Sequence, residues 1–311
     1  DLLIKFKIYD ESKESYNTQI KNIKRILIGK IPIMVNSNYC VLKMNDYYNK
    51  IDVEECEYDL GGYFIINGSE KVIVSQERRA ENKIYVCKNT KSQSKYILIA
   101  EINSIDNSVV SIPKTTSVKI LSKYENNGRC IKISIPHIKK DISIILIFYA
   151  LGLKNIEDIV NIILPDKYNP EYQRFLQFLK PSIEEVQNID PEDTLLLLAK
   201  SINITSYTKE LFENNNHLEV MKIILEKELL PHIGVNPIKK QFFIGHMVYK
   251  LLLVYHNFNT YDDRDSYINK RINTPGVLLA NLFRQYFIKL VKDVKININK
   301  EFNNGSWKAT D

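Results

Sequence analysis

Tryptophan, cysteine, methionine and histidine are scarce in this chain of 311 residues: one, four, four and five. The cysteines, Cys40, Cys56, Cys87 and Cys130, lie far apart and none belongs to a CxxC pair. That spacing argues against a dithiol motif or a disulfide framework and predicts free thiols in a reducing compartment. The histidines form no HExxH and no spaced pair with cysteine, so no metal site is expected. A phosphate-binding GxxxxGK run is absent, and GGYFIING lacks the spacing of a dinucleotide fingerprint. The longest apolar run, residues 142–153, is shorter than the about 20 residues needed to span a bilayer. With no signal-peptide pattern either, no membrane partner is expected. The chain starts at Asp1 without methionine, and we expect a fragment of a larger protein.

Charge of one sign does not dominate. Lys and Arg total 43 against 37 Asp and Glu, a net +6, which permits nucleic-acid binding without demonstrating it. Hydrophobic residues at 44% and charged residues at 26% predict packed cores and exclude global disorder, and the length predicts two domains. No Ser-His-Asp arrangement can be argued from spacing. The neighbouring carboxylates Glu54-Glu55 and Asp262-Asp263 are adjacent in sequence, and adjacent side chains do not share a face. No catalytic residue is therefore assigned.

What is present centres on residues 55–79, ECEYDLGGYFIINGSEKVIVSQERR. Gly61-Gly62 frees the backbone before YFII. Asn67-Gly68 is a strong two-residue hairpin signal, because both tolerate the positive φ of such turns. KVIVS, residues 71–75, is expected to run back as the second strand. Gln76, Glu77, Arg78 and Arg79 form its polar exit. Strict alternation on that strand places Lys71 and Gln76 on opposite faces.

Taken in order, residues 2–9 alternate as a strand, 11–22 read as a polar loop or turn, and 25–35 as extended chain. Residues 45–57 read as loop or short helix. Strands follow at 83–88 and 96–102, then a turn-prone boundary at 103–108, then short strands at 109–112, 117–121 and 130–135. From 141 the period becomes helical: 141–151, 156–164, 170–179, 192–202, 217–229 and 237–256. Asp190 is the expected N-cap of the fourth of these, with Pro191 in the first helical position. The helix at 237–256 is apolar nearly all round and expected to be buried. Thr274-Pro275 opens a last helix, with Leu279, Leu282, Phe283, Tyr286, Phe287, Leu290, Val291 and Val294 on one stripe. The fold class is α+β, mainly strands first and helices after.

GGYFIINGSEKVIVSQER resembles a signature of the second-largest, β-type subunit of multisubunit DNA-dependent RNA polymerases, nearest the eukaryotic messenger-RNA polymerase type. IGKIPIMVNSNYC (28–40), IPHIKKDISIILIFYALG (135–152) and DDRDSYINKRINTPGVLLANLF (262–283) agree, in the family's order. The heavy use of Ile, Asn, Lys and Tyr reads as an AT-rich genome, as in a large DNA virus or a parasite. The resemblance implies a β-rich protrusion at 1–103 interrupted by an inserted, helix-rich lobe at 104–262. Residues 263–311 would return to the protrusion and approach the fork.

It also implies a cleft wall beside DNA and the RNA–DNA hybrid, with Lys71, Gln76, Arg78 and Arg79 near nucleic acid and Lys270 and Arg271 as a second basic pair. Long donors at such places contact phosphate and sugar, which positions nucleic acid without reading sequence. Arg264, between Asp263 and Asp265, is expected to make internal ion pairs. Ser266 and Ile268 replace the family's histidine and glycine there, and Lys295 to Asn304 alone separates the last helix from Gly305-Ser306-Trp307, a shorter stretch than in the family. The lobe carries Lys119, Lys123, Arg129, Lys132, Lys139 and Lys140, read as a solvated face, and is implied to dock initiation factors. The remaining implied partners are the largest subunit and other polymerase subunits. No cofactor is expected in this fragment; Mg²⁺ belongs to the complete polymerase, bound mainly by the largest subunit. The implied location is the nucleus or a viral factory. The competing reading is a non-enzymatic docking module for initiation factors with little direct DNA contact.

Overall fold

The computed structural model describes residues 1–10, 15–44, 55–56, 58–89, 94–106, 112–123, 128–212 and 215–304. They form an α+β chain that divides into two compact units, Asp1–Val74 and Ser75–Asp311.

In the first unit, β1 (Leu2–Asp10) pairs antiparallel with β2 (Ser15–Ile23), Leu2 opposite Ile23 and Asp10 opposite Ser15. The polar loop expected at 11–22 is thus mostly strand. Its polar composition argued for a loop, whereas the backbone pairing with β1 makes it a strand. A short helix, α1 (Val41–Met44), follows; most of the expected element at 45–57 lies outside the described residues. The hairpin comprises β3 (Phe64–Ile66) and β4 (Ser69–Lys71), with Phe64 opposite Lys71. Asn67 and Gly68 take φ of 49° and 77°, as a mirror-image two-residue turn requires. The returning strand is therefore Ser69–Lys71 and not KVIVS: a two-residue loop fixes the register from Ser69 onward.

The second unit opens with β5 (Gln76–Arg79), the segment expected to be a polar exit. Then β6 (Tyr85–Lys88), β7 (Tyr96–Ser104), β8 (Lys114–Leu121), β9 (Ile131–Ser134) and β10 (Ile142–Ser143) make one antiparallel meander in the spatial order β10-β9-β8-β7-β6. The expected division at 103/104 falls inside β7 and within this sheet. Of the strand expected at 109–112, residues 109–111 lie outside the described residues. On β7, Leu98, Ala100, Ile102 and Ser104 are buried and alternate with half-buried residues, the period of a sheet packed on one face.

Helices cover that sheet: α2 (Ile144–Ala150), α3 (Ile156–Ile163), α4 (Tyr172–Glu184), α5 (Thr194–Ala199), α6 (Ser206–Phe212), α7 (His217–Ile223), continued by a π turn at Ile224–Glu228, and α8 (Pro237–Tyr255). The helix expected from 192 starts only at Thr194. Asp190 does not cap it: the Asp190 carbonyl accepts from the backbone of Asp193 and, at 3.2 Å, from the Thr194 hydroxyl, closing a turn before the helix. Asn236 does cap α8, its Oδ1 accepting from the amides of Ile238 and Lys239 at 3.0 and 3.4 Å. The helix then buries Ile244, Met247, Val248, Leu251 and Leu252. Each such side chain contributes roughly 1.5–3 kcal/mol when fully buried. Gly245 lets α8 approach α3 closely, since a Cβ there would lie 2.9 Å from the Ile162 carbonyl oxygen. Chain reversal beyond α8 leads to β11 (Lys270–Asn273) and to α9 (Pro275–Asn303), a 29-residue helix on which none of the residues is buried. The apolar stripe predicted for it is present, with Leu279 and Val294 half-buried and the rest exposed.

Candidate nucleic-acid interface

The ribbon β5–β11 joins two segments almost two hundred residues apart. Its register sets Gln76 opposite Asn273, Glu77 opposite Ile272, Arg78 opposite Arg271 and Arg79 opposite Lys270. Directly opposed residues share a face, and successive residues alternate. One face thus carries Gln76, Arg78, Arg271 and Asn273, and the other Glu77, Arg79, Lys270 and Ile272.

Two arginines directly opposite each other repel unless countered. Here Arg78 is countered: its Nη1 lies 2.6 Å from Glu81 Oε2, and its Nε donates to Asn273 Oδ1 at 2.7 Å. Arg271 Nη1 turns back to the carbonyls of Lys270 and Ile268, at 2.7 and 3.1 Å, and stays exposed. On the reverse face Arg79 Nη2 donates to Glu101 Oε1 at 2.7 Å, and its guanidinium lies 5.1 Å from the centre of the Tyr85 ring. Burial pushes the Tyr85 phenol up, and the Arg79 guanidinium opposes that shift. Lys270 Nζ sits 3.4 Å from Glu77 and 3.9 Å from Asp265. Arg78, Arg79 and Lys270 are therefore held by carboxylates, whereas Gln76 and Arg271 are exposed.

The ribbon is anchored by a residue that sequence reading missed. Asn269 is buried; its carbonyl accepts from Ala80 N at 2.8 Å, its Oδ1 from Lys83 Nζ at 2.6 Å, and its Nδ2 donates to the Asp263 carbonyl. Asp262 fixes the same corner. Its Oδ2 accepts from Val86 N at 2.8 Å and from Lys250 Nζ at 2.9 Å. Arg264 pairs internally as expected: its Nε donates to Cys87 Sγ at 2.9 Å, and its Nη2 lies 3.8 Å from Glu101. Nothing local marks Asn269 or Asn273, because the partners that give each its place lie across the ribbon or beyond it.

Lys71 belongs to the first unit, on β4, where it is exposed. It and Gln76 were expected on opposite faces of one strand; they sit instead in two different ribbons. The first unit has its own anchor. Val35 N donates to the Tyr63 carbonyl at 2.8 Å, and Gly62 N to the Val35 carbonyl at 3.0 Å. Asp59 accepts from Gly61 N at 2.8 Å through Oδ1 and from the Tyr63 hydroxyl at 2.6 Å through Oδ2. That hydrogen bond to a carboxylate, with burial and the Asp59 charge, pushes the Tyr63 phenol up to about 12. Gly61 takes φ +72°, and a Cβ there would lie 2.4 Å from the Val35 carbonyl oxygen.

The sequence profile described as RNA polymerase beta subunit matches residues 1–310. The chain belongs to that family. It is 38% identical to DNA-directed RNA polymerase II subunit RPB2 of Schizosaccharomyces pombe over 90% of its length, and 35% identical to DNA-directed RNA polymerase II subunit 2 of Arabidopsis thaliana over 93%. It is 34% identical to DNA-directed RNA polymerase subunit 2 of Acanthamoeba polyphaga mimivirus over 87%. It covers 23%, 24% and 23% of those three proteins, about a quarter of each. Within this beta-subunit segment, the two ribbons and their anchors are built from three of the four signature stretches. Stretch 28–40 meets 59–63 through Val35 and Asn36, whose Nδ2 donates to the Asp59 carbonyl at 3.1 Å. Stretch 262–283 meets β5 through β11. Among the described residues no group of three or more His, Cys, Asp or Glu is placed to hold a metal ion, and no helix is long and apolar enough to cross a membrane.

Proposed function

We propose that this chain is part of one wall of the nucleic-acid cleft of a DNA-dependent RNA polymerase, with the β5–β11 ribbon facing the nucleic-acid backbone. The observation that carries the reading is the register of that ribbon. It collects Gln76, Arg78, Arg271 and Asn273 on one face, from two signature stretches separated by the whole intervening segment. Exposed Arg271 and Gln76 supply donors to phosphate or sugar, while Arg78 is held in place by Glu81 and Asn273. Such donors position a strand and read no sequence. Lys71, on the exposed hairpin of the first unit, is a further candidate donor to nucleic acid.

In this reading the complete enzyme extends RNA by nucleotidyl transfer with Mg²⁺ held mainly by its largest subunit, and this segment contributes guidance and no reacting group. A protrusion at 1–103 and 263–311, with a lobe at 104–262 that docks initiation factors, belongs to the same proposal. The pairing of 76–79 with 270–273 across the inserted segment supports it. The pol II and mimivirus relatives fit work in a nucleus or a viral factory.

The test is equilibrium binding of a template–RNA hybrid scaffold by the polymerase assembled around the full-length subunit, as a function of salt. Arg271→Ala is expected to lower the slope of log K against log salt by about 0.7–0.9, the share of one phosphate contact. Gln76→Ala is expected to weaken binding without changing the slope. Slopes and affinities unchanged in both variants would overturn the ribbon's role and leave the docking-module reading in its place.

A further inference from the structure

The apolar stripe takes up one side of α9; the opposite side is cationic. Arg284, Lys289, Lys292, Lys295 and Lys300 are all exposed, and among the described residues none of them makes an ion pair. That sets them apart from Arg78, Arg79, Lys119, Lys132 and Lys250, each of which is held by a carboxylate. At about 100° per residue, Arg284 and Lys295 fall in one row and Lys289 and Lys300 in a second, about 140° round the helix from the first. Within each row the two cations are three turns apart, about 16 Å. Lys292, Gln285 and Asn299 stand between the rows, with Ile288 and Ile296 beside them. Of the carboxylates on the helix, Asp293 stands just outside the second row and Glu301 further round. Like charges three residues apart, as at 289, 292 and 295, repel and weaken a helix unless an anion meets them.

We infer that this face of α9 lies along a groove of duplex DNA, with one row of cations on each of the two phosphate backbones that border it. The inference rests on the reading of the chain as part of a nucleic-acid cleft wall. A helix with its side chains is about 10–12 Å across and the major groove about 12 Å wide, so cations on its two flanks reach both backbones. A single strand offers one line of phosphates and would leave one row unmet. An acidic protein surface carries no pair of parallel phosphate lines. Thr274 alone separates β11 from α9, so the ribbon that carries Arg271 leads directly into this helix.

The experiment measures binding against salt for the polymerase assembled around the full-length subunit. Its probes are a labelled DNA duplex, a single strand of the same length, and a template–RNA hybrid without duplex arms. The triple variant Lys289→Gln/Lys295→Gln/Lys300→Gln keeps helix propensity and removes cations from both rows. It is expected to lower the slope of log K against log salt by about 2–3 on the duplex and to leave the hybrid slope unchanged. The matching triple Lys→Arg variant is expected to keep the original slope. Should the triple Lys→Gln variant fail to assemble, Lys292→Gln alone is expected to lower the duplex slope by about 0.9. An unchanged duplex slope would overturn the inference, as would an equal loss on the single strand. Arg271→Ala separates the two claims. If it leaves the hybrid slope unchanged while the triple variant lowers the duplex slope, the ribbon's role falls and the α9 face stands; the reverse pattern overturns the α9 face alone.

Discussion

The two units are held together by different means. Among the residues of Asp1–Val74 whose burial is described, Phe64 is the one buried hydrophobic side chain, while Leu27 and Leu60 are 78% and 93% exposed. Ser75–Asp311 holds a continuous core of sheet and helices, from Val86 on β6 to Leu252 on α8. The first unit keeps its shape through backbone pairing and the Asp59–Gly61–Tyr63 anchor; the second keeps its shape by excluding water. Hydrogen bonds contribute about 1 kcal/mol net apiece, and a buried large side chain two or three times that. Signature residues therefore mean different things in the two regions. In the first they are turn and anchor residues on a surface with little core beneath. In the second they brace a ribbon against a packed body.

The largest expected effect lies in the second unit. Phe148, fully buried on α2, replaced by Ala should cost about 3–5 kcal/mol in denaturant unfolding. Leu27→Ala in the first unit should stay within about 0.5 kcal/mol. Equal losses would break the comparison. Next comes Gly61→Ala. It forces a side chain into a left-handed backbone against the Val35 carbonyl, and should cost about 1–3 kcal/mol. Its mark would be faster amide exchange at Val35 and Gly62, with exchange in the β6–β10 sheet unchanged.

A further effect is one of pH. Lys240 is buried on α8, with Nζ donating to the carbonyls of Leu225 and Glu226 at 2.7 Å each, and burial pulls its ammonium down to about 8. The unfolded chain keeps that proton up to about 10.4. Between those values the unfolded state binds more protons, so stability should rise with pH through that window and be lowest below it. Denaturation midpoints across the window should climb for the original chain and stay flatter for Lys240→Met. A first unit that followed the same climb would show that the two unfold together.

Much of this fold was legible because it is periodic. The alternation over 96–102 and the helical stripe over 274–294 are properties of contiguous residues, and both elements form where expected. The Asn67-Gly68 turn was legible for the same reason, since its backbone preference is local. Where local signals were weak, reading failed: 15–23 has no clear apolar face and still pairs as β2, and 206–212 formed a helix that was not expected. The basic residues at 76–79 and 270–271 stood out by type, and the family resemblance placed them at a site.

What the chain's own order of residues determined is therefore local: element types, turn chemistry, the family's signature stretches, and which cations were candidates. Tertiary structure alone decided their partners. It set Arg78 beside Asn273, gave Arg79 to Glu101, left Gln76 and Arg271 exposed, and buried Asn269 as the anchor between them. The physical reason is range. Backbone preferences act between near neighbours in sequence, whereas the charge, burial and hydrogen-bond partners of a side chain are set by groups that folding brings from far along the chain.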